Sequence, residues 1–124
     1  MSPFAWVAFV TAGAIGAPVR YLVDGAVSDR TDGAFPWGTF VINATGSLLL
    51  GLLTGLALYH GFPQTPKVVL GAGFCGAYTT FSTFTFETVR LVEEGAIQEA
   101  IRNALGTVLT GAVAAAAGIA LAAL

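Results

Sequence analysis

Charged side chains are scarce in this sequence. Of its 124 residues, 5 are Lys or Arg and 7 are Asp or Glu, whereas soluble domains carry about a quarter of their residues as charge. A chain this short has a large surface for its volume, and so few charges cannot cover that surface in water. The composition therefore argues against a soluble globular enzyme. Histidine and cysteine are nearly missing too: His60 and Cys75 stand alone. A lone cysteine closes no internal disulfide and reports no redox compartment. No His/Cys cluster, and no Gly-rich loop before a Lys, offers a catalytic or phosphate-binding centre, so no enzyme is expected. A net charge of −2 leaves no basic patch for nucleic acid. What is present is apolar, with 56% hydrophobic residues and a mean hydropathy of +0.80. This excludes disorder, which needs low hydrophobicity and high net charge. Sixteen glycines are too many for a plain soluble helical bundle. The expectation is one membrane domain over residues 1–124.

The order of the charges is more informative than their number. None occurs from Met1 to Val19, from Gly33 to Pro66, from Val68 to Phe86, or from Asn103 to Leu124. A spanning helix needs about 20 mostly apolar residues, and each interval can hold one. Prolines at 36, 63 and 66 mark helix boundaries around the longest interval. The pattern predicts an all-α integral membrane protein with four transmembrane helices, at about Phe4–Val23, Gly38–Tyr59, Lys67–Val92 and Ile97–Leu124. The first segment lacks a basic n-region and does not read as a cleavable signal. Gly51 and Gly55 share a face of the second helix. Gly111 with Ala115, and Ala114 with Gly118, do so on the fourth. Such spacing lets helix backbones approach closely in lipid and predicts tight packing.

Residues 71–88 differ from the rest. Gly71, Gly73 and Gly76 precede a hydroxyl-rich run from Tyr78 to Thr88. Helix-breaking residues at membrane depth are tolerated where freed backbone groups find partners or line a cavity, so the third helix is expected to be broken. Freed carbonyls near Gly76 and Thr79 could hold a cation, as unwound backbone does in transporters. Beyond the break, Thr80, Thr83 and Glu87 follow helical spacing, and Phe81 and Phe84 share a neighbouring face. Aromatic rings have positive edges, so ring edges beside hydroxyl donors can face an anion without a full charge. That suits a small, strongly hydrated anion, because conduction needs binding that is favourable yet weak. The plainer reading is that the hydroxyls bond their own helix carbonyls and that the phenylalanines face lipid.

Outside this stretch, Asn43 is the clearest polar group of the second helix, read as an inward donor or as a helix–helix hydrogen bond. Arg20 closes the first helix, where long cations snorkel to the interface, and is read as structural. Glu87, three residues before Arg90, reads as a vestibule residue or an interfacial ion pair. His60 reads as loop and Cys75 as apolar filler. Carboxylates at Asp29 and Asp32, and at Glu93 and Glu94, lie in connectors.

Three motifs resemble the Fluc-type fluoride channels, the CrcB-like family. Gly16-Ala17-Pro18-Val19-Arg20-Tyr21 is similar to the family's ending of helix 1, and Gly38-Thr39-Phe40-Val41-Ile42-Asn43-Ala44-Thr45-Gly46 to its opening of helix 2. The run from Gly73 to Phe84, followed by Glu87, is similar to its long signature G-F-x-G-G-x-T-T-F-S-T-F-x-x-E. Ala77 replaces one signature glycine. Ala104 and Val108 stand where several members carry a tyrosine and a serine.

The resemblance implies a fluoride-specific channel that passively exports cytoplasmic fluoride across the cell membrane. It implies an antiparallel dual-topology dimer with a structural sodium ion at its centre and fluoride pores along the subunit interface. Gly76 and Thr79 would offer carbonyls to the sodium. Asn43, Phe81 and Phe84 would line the pore, with Thr80, Ser82, Thr83 and Glu87 beside it. The partner would be a second copy or an oppositely inserted paralogue. That choice turns on Lys/Arg bias, since Lys67 lies at one end and Arg20, Arg30, Arg90 and Arg102 at the other. The competing expectations are a small proton-coupled multidrug exporter, which needs an intramembrane carboxylate, and a non-transporting membrane assembly subunit.

Overall fold

The first helix, α1 (Pro3–Ser28), starts where proline at the first position follows a serine whose hydroxyl accepts from the Ala5 N–H at 3.1 Å. Proline lacks an N–H that would be unpaired there anyway. The computed structural model describes residues 1–124 and is all-helical, without a strand. α2 spans Trp37–His60 and ends at Gly61, whose φ of 63° is the left-handed cap that glycine adopts without strain. α3 covers 64–78: an α-helical turn at Gln64–Val68, a wider π-helical stretch at Val69–Cys75, and a last turn at Gly76–Tyr78. α4 (Phe81–Glu93) and α5 (Ile97–Ala122) are joined through Gly95, at φ 78°.

Three helices are long and apolar enough to cross a membrane: α1, α2 and α5. The expected third span is interrupted. Thr79 (ψ 160°) and Thr80 (φ −148°, ψ 118°) are extended and divide it into α3 and α4. The break falls after the glycines rather than at them. Gly71 and Gly73 stay helical and permit close contact: a Cβ on Gly73 would lie 3.0 Å from the Phe9 carbonyl, and one on Gly71 3.2 Å from Leu50. α1 runs five residues past the expected Val23, to Ser28. The other outer ends lie within a few residues of expectation.

α2 and α5 form the closest pair. A Cβ on Gly51 or Gly118 would collide with the backbone of Ala115 or of Leu48, and one on Gly55 would meet Ala122 at 2.6 Å. These are the small residues whose spacing predicted tight packing, and dispersion across such contacts holds helices together in lipid. Beyond them, the His60 ring N–H donates to the Ala122 carbonyl at 2.6 Å, tying the far ends of α2 and α5. Only 20 of 124 residues are buried, too few for a domain stabilised by a water-excluded core. The outward faces of α1 and α5 carry Trp6, Val10, Leu22, Leu109 and Val113, all exposed, as suits contact with lipid.

Candidate functional site

Breaking a helix frees backbone groups, and neighbouring side chains take up those around Thr80. The Asn43 carboxamide pairs with Thr80 in both directions: its Nδ2 donates to the Thr80 carbonyl at 3.0 Å, and its Oδ1 accepts from the Thr80 N–H at 2.9 Å. It thus completes the extended residue much as a neighbouring strand would. The Thr80 hydroxyl caps α4 by accepting from the Thr83 N–H at 3.1 Å. On the α3 side, the Thr79 N–H and hydroxyl both go to the Cys75 carbonyl. The Gly76 carbonyl would ordinarily meet the Thr80 N–H one turn on. Asn43 occupies that N–H, so the carbonyl loses its helical partner.

Two further side chains fix the break. Tyr78 is buried, stacks on Phe74 with ring centroids 5.6 Å apart, and lies 2.8 Å from the Thr45 hydroxyl. Thr45 directs its own proton to the Val41 carbonyl, so the tyrosine is the donor. Arg20 does not turn out to the interface as the sequence suggested. It reaches the Thr79 carbonyl at 3.5 Å, bringing a cation to the break.

Around this junction lies a groove of about 620 Å³, open along one side. α2 contributes Asn43 and Ser47, α3 Cys75 and Gly76, the break Thr79 and Thr80, α4 Phe81 and Phe84, and α5 Thr107 and Val108. Phe84 is buried and Phe81 is 77% exposed, with ring centroids 5.9 Å apart. Of the remaining candidates, Ser82, Thr83, Glu87 and Arg20 do not line the groove. Ser82 and Thr83 cluster with the Thr80 hydroxyl at 3.4 and 3.1 Å. One oxygen of Glu87 is buried without a hydrogen-bond partner.

The donor inventory narrows what the groove offers. The Thr79, Thr80 and Thr107 hydroxyls give their protons to Cys75, Thr83 and Asn103. Asn43 keeps a second amide proton, and Ser47, one turn along α2, holds no partner within the chain. Ser47 was missed at the sequence level, although four-residue spacing from Asn43 was a usable signal. Asn103 was missed as well. It is fully buried and connects α5 to α4 by donating to Thr88 at 2.8 Å.

A helical, membrane-spanning protein with a largely apolar groove that carries a few polar groups at a discontinuous helix is the class these features define. The match to known proteins is specific. The family model described as "CrcB-like protein, Camphor Resistance (CrcB)" matches residues 7–119, so the chain belongs to the CrcB-like family. It is 48% identical over 114 residues to a Streptomyces avermitilis protein named "Fluoride-specific ion channel FluC 1", covering 92% of each chain. A Frankia casuarinae protein of the same name is 49% identical over 122 residues, covering 94% of this chain and 95% of the relative. A Mycobacterium bovis protein named "Fluoride-specific ion channel FluC 2" is 43% identical over 113 residues, covering 91% and 86%.

Proposed function

We propose that this chain is a subunit of a fluoride-specific channel of the cell membrane that lets cytoplasmic fluoride leave passively. The observation that carries the reading is the groove at the Thr79–Thr80 break, considered with the names of the relatives. The groove lies beside the N-terminal end of α4, whose dipole favours an anion. The uncommitted protons of Asn43 and Ser47 and the rings of Phe81 and Phe84 add donors and positive ring edges without a fixed cation in the path. Weak neutral contacts suit an ion that must be stripped of water and then released. Thr80, Ser82, Thr83 and Glu87 are assigned positions next to the path rather than contacts with the ion.

The groove is open on one side, and that side is assigned to a second subunit inserted the opposite way. This is the antiparallel pairing that would enclose two pores. Sodium fits the α3 end of the break in part. The Gly76 carbonyl has lost its helical donor, and the space a Cβ would fill on that residue is open. Thr79 shares its carbonyl with Arg20, leaving a lone pair free. Two carbonyls from each of two subunits would make an oxygen cage, and the ion bound there would pin the break.

Liposomes containing the purified protein, joined by its oppositely inserted paralogue where that is the partner, should release fluoride and retain chloride, and should lose this activity when sodium is replaced throughout by a large organic cation. Chloride release at a comparable rate would overturn the reading. The proton-coupled exporter draws its support from the unpartnered oxygen of Glu87, a carboxylate between spans. It requires that Glu87→Gln abolish transport and that a proton gradient drive uptake of a cationic dye. The channel reading expects fluoride release without a proton gradient.

A further inference from the structure

A second groove, of about 690 Å³, lies away from the break, where α1 hands over to α2 and α5 begins. Asp32, Phe35 and Trp37 line one wall, and Glu99, Arg102 and Leu105 the other. It uses a different face of α5 from the first groove, which takes Thr107, Val108 and Gly111. The space beside Gly106 is open, since a Cβ there would meet nothing within 4 Å.

Depth, charge and an apolar track converge on one kind of occupant. Phe35, Trp37 and Phe40 form a ring cluster with centroids 4.6 to 5.7 Å apart at the start of a spanning helix. Aromatic belts of this kind sit at headgroup level. Arg102 pairs with Glu99 at 2.8 Å through one Nη1, and its side chain remains 59% exposed, leaving most of its five N–H donors free. The groove therefore holds one guanidinium and two carboxylates. Beneath them Ile101, Leu105 and Leu109 follow at one-turn intervals along α5, all exposed, toward the middle of the helix.

We propose that this groove binds a phospholipid with a primary-ammonium headgroup, phosphatidylethanolamine. Its phosphate sits on Arg102, its ammonium between Glu99 and Asp32, and its chains along Ile101, Leu105 and Leu109. The adjacent charges of the groove complement the headgroup's own anion and cation. An anionic headgroup such as phosphatidylglycerol meets two carboxylates with no cation to offer them. A choline headgroup carries no N–H for the carboxylates to accept.

The test is native mass spectrometry of the protein in mild detergent, titrated with phosphatidylethanolamine, phosphatidylcholine and phosphatidylglycerol of identical chains. Retention of the ethanolamine lipid about tenfold above the other two is expected, the size of one charge-assisted hydrogen bond. Arg102→Gln should remove that retention. The double variant Asp32→Asn, Glu99→Gln should reverse the preference toward phosphatidylglycerol. Arg90→Gln, whose native partner is the exposed Glu94 just past the end of α4, should change nothing. Circular dichroism checks that each variant is folded, and should Arg102→Gln unfold, the lipid preferences of the native chain and the double variant still decide. Equal retention of the three lipids, a preference for choline, or an unaltered preference in the double variant overturns the proposal. So does a disulfide formed in membranes between two Leu105→Cys subunits, which would place a second copy in the groove.

Discussion

At the scale of single residues, the arrangement turns on what each polar group has already committed. Asn43 spends one donor and its acceptor on the Thr80 backbone. Asn43→Asp replaces the donor with a second acceptor facing the Thr80 carbonyl. Leaving that buried carbonyl unpaired costs about 1–3 kcal/mol, so the variant is expected to unfold at lower denaturant in detergent and to lose fluoride release. Ser47→Ala removes a hydroxyl that supports nothing in the fold. It should leave stability unchanged and slow fluoride release from liposomes, and an unaltered rate would remove Ser47 from the path. Phe84→Ile and Phe81→Ile should each slow release while the protein stays folded. Rates equal to the native rate in both would reject the two rings as pore elements.

At the scale of elements, α4 begins where Thr80 caps it and α2 meets α5 where glycines allow. Thr80→Val deletes the cap, worth about 1 kcal/mol, and the hydroxyl cluster with Ser82 and Thr83. Thr80→Ser should restore stability where Thr80→Val loses it, read by thermal unfolding in detergent. Gly51→Val drives a branched side chain into the Ala115 backbone. It should destabilise by at least the ~1–3 kcal/mol typical of overpacking, because a backbone atom cannot rotate away. The same substitution at Gly106, which faces open space, should have little effect on unfolding.

At the scale of the whole molecule, charge is divided unevenly between the two ends. Arg20 is held at the break and drops out of the count that governs insertion. Arg30, Arg90 and Arg102 remain near one end and Lys67 near the other. The positive-inside rule then predicts that the end bearing the α1–α2 connection faces the cytoplasm in most copies. Single cysteines at Asp32 and at Gln64, in a Cys75→Ala background, check this with a membrane-impermeant label on intact cells. Labelling mainly at Gln64 is expected, and it would make an oppositely inserted paralogue the partner. Equal labelling at both would show insertion both ways and make the partner a second copy.

Much of this was legible in the sequence because it follows from local chemistry. Charge-free runs placed the helices, since lipid tolerates little else. Small residues four apart marked the α2–α5 contact, and the stretch through Thr79 and Thr80 marked an interruption. The tertiary structure decided where that interruption falls. Gly71 and Gly73 looked like breakers, but they are occupied in packing against α2 and α1. The chain opens over the two residues after Tyr78, and an asparagine 37 residues before Thr80 satisfies that residue. It also decided which hydroxyls have protons left, which way Arg20 turns, and that Asn103 ties α5 to α4. Composition and spacing fix what a residue can do in its own helix. Which hydrogen bonds it actually makes depends on groups far away in sequence, and only the packing of the helices brings them within reach.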